Sequence, residues 1–148
     1  MKKILVLTIL TMIMVSWNVD KGQPDNGNPL LMEYNTPFQV PPFDLIKEEH
    51  YIPAFKAGIE QQKAQIAAII NNPAEPDFEN TIVAMDNSGE ILRNAGVFYS
   101  LNSANTNPNM QKIARELTPM MSALRNEIVL NQDLFARIKK VYDKLDKL

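Results

Sequence analysis

Cysteine is absent and histidine occurs once, at position 50, in a chain of 148 residues. Without a thiol there is no disulfide, no thiolate metal ligand, no cysteine nucleophile and no lipid attachment at an N-terminal cysteine. With one imidazole, the usual peptidase zinc site cannot be assembled, because it needs two histidines four residues apart on a helix. The five glycines are scattered at 22, 27, 58, 89 and 96, so there is no glycine-rich loop to cradle a phosphate. Strand alternation, hairpin turns and internal repeats are also missing. The basic residues, 15 against 17 acidic ones, are spread along the chain, which argues against a nucleic-acid partner.

The one histidine sits in "IKEEHYIPAF", Ile46 to Phe55, directly behind Glu48 and Glu49. Four residues on is Ala54 and four back is Ile46, neither of which can bind a metal. A site built on His50 would have to borrow carboxylates from afar, such as Glu79, Asp86 or Glu116, and no local spacing supports that. As a base it would have to serve Ser88, Ser100, Ser103 or Ser122, none of which lies in a nucleophile-elbow context. The structural reading is stronger. Glu48 and Glu49 belong in the first turn of a helix, where negative charge meets the positive end of the dipole, and His50 packs or hydrogen-bonds where that helix begins. No catalytic, cofactor-binding or metal-binding residue is therefore assigned in this chain.

What is present organises the chain into a leader, an arm and a helical body. Lys2 and Lys3 precede an apolar run from Ile4 to Trp17, the layout of an export signal, so residues 1–19 read as a signal peptide. The run is short for a bilayer span of about 20 residues, and an uncleaved membrane anchor is the rival reading. Residues 20–42 are crowded with Gly, Pro and Asn and form an irregular arm. Its apolar residues Leu30, Leu31, Met32, Tyr34, Phe38 and Val40 predict that part of it packs onto the body.

The body, residues 43–148, reads as about four helices, an all-α architecture. Ile52, Phe55, Ile59, Ile66 and Ile69 or Ile70 recur at helical spacing, with Pro53 in the first turn and Asn71, Asn72 and Pro73 as the stop. A second helix starts between Asp77 and Asn80 and carries Phe78, Ile82, Met85, Leu92 and Tyr99. "DNSG", Asp86 to Gly89, is a local turn signal, but the apolar stripe keeps phase across it. One continuous helix is expected, with Gly89 and Gly96 letting a neighbour come close. Asn107 caps a third helix with Pro108 at its first position, and Pro119 is expected to kink it. Asn131 opens the last, with Leu134, Ile138, Val141, Leu145 and Leu148 on its apolar face. That face is still running at Leu148, which predicts that the natural polypeptide continues.

Three stretches together resemble one family: "NPLLMEYNTPFQVPPFDLIKEEHYIPAFKAGI", "DFENTIVAMDNSGEIL" and "SLNSANTNPNMQKIARELTPMMSALRNEIVLNQDLFARI". They are similar to the opening region of the peptidyl-dipeptidases, or dipeptidyl carboxypeptidases, within the thimet oligopeptidase and oligopeptidase A family of zinc metallopeptidases. The resemblance runs from about Asn28 to the C-terminus. It implies a longer, almost wholly helical parent with a deep channel, whose zinc is held by an HExxH helix and a further glutamate in the C-terminal half. None of those residues occurs here. The resemblance further implies release of C-terminal dipeptides from oligopeptides, attack by zinc-bound water with the motif's glutamate as base, and N-terminal helices that shape the channel. The remainder of the peptidase chain is then the expected partner and the oligopeptide the expected substrate. The leader, if cleaved, makes the exported, periplasmic space the expected location, with a cytoplasmic or membrane-anchored one as the rival. Endopeptidase cleavage is the close variant. A free-standing helical binding or scaffold module without enzymatic activity is the alternative of another class.

Overall fold

The computed structural model describes residues 27–34 and 36–145. The leader, the first residues of the arm and the last residues of the apolar stripe up to Leu148 lie outside them. Among the described residues every regular element is helical. None of the described helices is long and apolar enough to cross a membrane.

The body is arranged around α1, Tyr51–Ile70. A 3-10 turn at Glu48–His50 leads into it, so Pro53 falls in the first turn, where it displaces no helical hydrogen bond. Asn71 closes the helix, as its sequence predicts. α2 begins with a π-helical segment, Phe78–Val83, and is continued by Ala84–Asp86. Asp77 caps it reciprocally with Asn80: the Asn80 amide donates to Asp77 Oδ1 at 2.7 Å and the Asp77 amide to Asn80 Oδ1 at 3.1 Å. α3, Glu90–Ala95, and α4, Val97–Ala104, follow as nearly one piece, then α5, Pro108–Val129, and α6, Gln132–Leu145. Asn107 and Asn131 cap α5 and α6 through their side-chain oxygens, each 2.9 Å from an amide of the first turn. α5 passes through Pro119 without a break, with that ring on the exposed side.

The expected single helix from Asp77 to Tyr99 is corrected here. Gly89 adopts φ 75°, a left-handed conformation that ends α2 and that a helix interior excludes. The break leaves backbone groups unpaired, and side chains from elsewhere take them up. Gln65 Oε1 accepts from the Gly89 amide at 2.8 Å, and Gln61 Oε1 from the Ile91 amide at 3.3 Å. Arg93 donates back to the carbonyls of Asp86 and Ser88 at 3.0 and 3.2 Å. The break and the π-helical start rotate the buried face. Thr81, Ser88, Ala95 and Phe98 are inside, whereas Phe78 and Tyr99 of the expected stripe are exposed. The close approach expected at Gly89 is present, since an added Cβ there would stand 2.9 Å from the Gln62 side chain of α1. At Gly96 it would meet only the preceding turn, and a second close approach lies at Gly58 in α1, 2.9 Å from the Leu92 side chain of α3.

Two apolar clusters lie along α1. Its N-terminal half packs Tyr51, Ala54 and Phe55 with Ala95 and Phe98 from α3 and α4, with Met110, Ile113 and Leu117 from α5, and with Leu30 from the arm. Phe98 is fully buried, edge-on to Tyr51 at 4.8 Å and to Phe55 at 6.3 Å between ring centres, a geometry that matches positive ring edges to negative faces. The C-terminal half packs Ile66 and Ile69 against Leu134 of α6, flanked by Met85 of α2. Arg137 of α6, only 9% exposed, ties these parts polarly: it donates to the Asn72 carbonyl at 2.8 Å and to Asn80 Oδ1 at 3.1 Å. Of the arm, Leu30 is buried and Leu31 and Tyr34 half-buried, while Met32, Phe38 and Val40 face outward.

Two substitutions test this packing by urea denaturation. Phe98→Ala removes the centre of the aromatic cluster and is expected to cost about 3–5 kcal/mol. Gly58→Val forces a branched side chain into the α1–α3 contact and is expected to cost about 1–3 kcal/mol. Stability within error of wild type for either would contradict the stated contacts.

Candidate functional site

The residues with chemical potential gather where α1 begins. His50 is half-buried, and its Nδ1 accepts from the Lys47 amide at 3.0 Å, closing the turn that launches the helix. Its carbonyl accepts from the Asn28 side-chain amide at 2.9 Å, which pins the arm to the same point. Both contacts match the reading of His50 as a hydrogen-bonding residue at the start of a helix. No other His50 side-chain hydrogen bond forms among the described residues.

Glu48 does more than sit at a dipole. Its carboxylate accepts from the Asn107 side-chain amide at 2.7 Å and from the Asn109 side-chain amide, so the starts of α1 and α5 are tied together. Nothing local in the sequence signals this, since the partners are 59 and 61 residues away. The bond from Asn109 first, and that from Asn107 second, holds the Glu48 carboxyl below the usual glutamate value. Tyr51, one helical turn along, is pushed upward by burial and secondarily by the Glu48 charge. Between α1 and α5 opens a groove of about 590 Å³ whose lining includes Lys47, Lys112, Glu48, Glu49 and Glu116. Charges of both signs alternate there, so it favours no anion or cation in particular.

The carboxylates weighed as remote ligands lie on different elements. Glu79 is exposed in the first turn of α2, Asp86 at its end, and Glu116 on α5, where it pairs with Lys56 at 3.6 Å. Among the described residues no group of three or more His, Asp or Glu side chains is placed to hold a metal. The residues present thus do not fit a zinc centre. Of the serines, Ser88 is buried with its hydroxyl donating to the Met85 carbonyl at 2.7 Å, and Ser100, Ser103 and Ser122 are exposed. Among the described residues these groups serve caps, ties and solvent.

No family model matches the chain. It is, however, 43% identical over 122 residues to dipeptidyl carboxypeptidase of Salmonella typhimurium and 42% identical over 122 residues to that of Escherichia coli. The chain is a relative of the dipeptidyl carboxypeptidases. Oligopeptidase A of Salmonella typhimurium is a more distant relative, 25% identical over 117 residues. The match to the dipeptidyl carboxypeptidases takes up 82% of this chain but 18% of theirs. The helical lobe described above therefore corresponds to a limited part of those peptidases.

The Glu48 tie makes a pH prediction. Its folded-state value lies below the ordinary one, so its contribution to stability is complete above the unfolded value and is lost as pH falls through the depressed one. Carbon-detected NMR titration should place the Glu48 midpoint below 4.5, and Asn109→Ala should move it upward. A midpoint at the ordinary value, indifferent to Asn109→Ala, would contradict the tie.

Proposed function

We propose that this chain is the N-terminal, non-catalytic helical portion of a zinc metallopeptidase that releases dipeptides from the C-termini of oligopeptides. The observation that carries this is the 43% identity to a dipeptidyl carboxypeptidase over 82% of the chain. The lower identity to oligopeptidase A, 25%, favours the exopeptidase over the endopeptidase variant. In this reading zinc and the groups that work with it belong to the remainder of the peptidase. This portion supplies a wall of the substrate channel, which restricts access to extended, unfolded peptides. A rigid wall suits a lobe in which Glu48, Gln65 and Arg137 tie one element to another. The leader at residues 1–19 adds export to the periplasm to the same proposal.

The test is to express the whole reading frame that contains these residues and to incubate it with an N-blocked tripeptide and a longer oligopeptide. The expected product contains HExxH and frees C-terminal dipeptides until a chelator is added, while the 148-residue chain alone frees none. Cleavage at internal bonds without dipeptide release would replace the exopeptidase by the endopeptidase. A frame that stops after Leu148, giving a stable protein without peptidase activity, would overturn the proposal in favour of a free-standing module.

A further inference from the structure

α6 has more apolar surface than its neighbours cover. Leu134 and Val141 are buried against the body and Arg137 is anchored by Asn72 and Asn80. Turned by about a quarter of the helix from that line, at one side of the same helix, Phe135 and Tyr142 are each 64% exposed. They are seven residues apart and so lie on one side of the helix, with half-buried Ile138 between them at steps of three and four. Leu130, immediately before the Asn131 cap, is 75% exposed. Leu130 and Phe135 occupy the two positions of a hydrophobic staple, yet each keeps the greater part of its surface in water. At the rim Lys139 and Asp143 neutralise each other at 2.6 Å, so covering the ridge does not leave either of these two charges alone. An aromatic ridge bordered by a paired polar rim is the make-up of an interface centre.

We infer that the Phe135–Ile138–Tyr142 ridge of α6, with Leu130, is the seam on which the remainder of the peptidase polypeptide packs through an apolar helical face. This rests on the reading of the chain as part of a longer peptidase. The occupant follows from length: the dipeptidyl carboxypeptidases match this chain over 18% of themselves, which leaves more than four fifths of such a protein to be placed against it. α6 is held by Arg137 and by Lys144, which donates to the Pro76 carbonyl at 2.7 Å, so the ridge is presented on a fixed element.

Hydroxyl-radical footprinting of the 148-residue chain and of the whole reading-frame product tests the inference. In the short chain Phe135 and Tyr142 should be labelled strongly; in the long one their labelling should fall to that of buried Phe55 and Phe98. Phe135→Asp should leave the melting temperature of the short chain unchanged and lower that of the long one, while Lys139→Glu should shift the long chain far less. Equal labelling of the ridge in both forms, with peptidase activity present in the long one, overturns the seam and leaves the proposed function standing. Protection that appears in the short chain as its concentration rises also overturns it, because the occupant is then a second copy. A long product without zinc-dependent peptidase activity removes the proposed function and the seam with it.

Discussion

At Gly58 the backbone of α1 comes so near α3 that one added carbon would lie 2.9 Å from Leu92, and the arrangement of the lobe follows from that approach. With the two helices this close, glutamines of the next two turns of α1 reach the amides exposed where α2 breaks from α3. Gln65 meets Gly89 and Gln61 meets Ile91, so two amides freed by the break find acceptors. The same approach brings Phe98 of α4 between Tyr51 and Phe55, and α5 closes over the cluster with Met110, Ile113 and Leu117. Farther along α1, Ile66 and Ile69 receive α6.

Several polar side chains among the described residues hold elements together. Glu48 joins the starts of α1 and α5, Arg137 joins α6 to the loop after α1 and to the cap of α2, and Asn28 joins the arm to the His50 carbonyl. Groups engaged in this way are not free to bind a metal or move a proton. These ties keep the helices at fixed separations.

The parts of the fold that could be read from sequence are those fixed by neighbouring residues. Asn107 before Pro108, Asn131 before the last stripe, Asp77 before Asn80 and the Asn71–Asn72 stop all act within one turn, and each marks a boundary where expected. The break at Ser88–Gly89 was also signalled locally by "DNSG". The persistence of the apolar stripe argued the other way, because the stripe cannot reveal that α1 supplies partners for a broken helix from 24 and 30 residues away. The ties of Glu48 to α5 and of Arg137 to the α1 loop are invisible for the same reason, their partners being brought together only by the fold. His50 was legible through its solitude: with one imidazole, a local structural role was the remaining use, and its bond from the Lys47 amide is of that kind.

The central claim is that the imidazole and carboxylates of these residues hold helices in place and do not assemble a metal centre. Calorimetric titration of the purified 148-residue chain with zinc addresses it most directly. The account predicts no saturable heat and no shift of the His50 ring signals beyond nonspecific surface binding. Tight binding with one zinc per chain, abolished by His50→Ala while the helical content is retained, would contradict it.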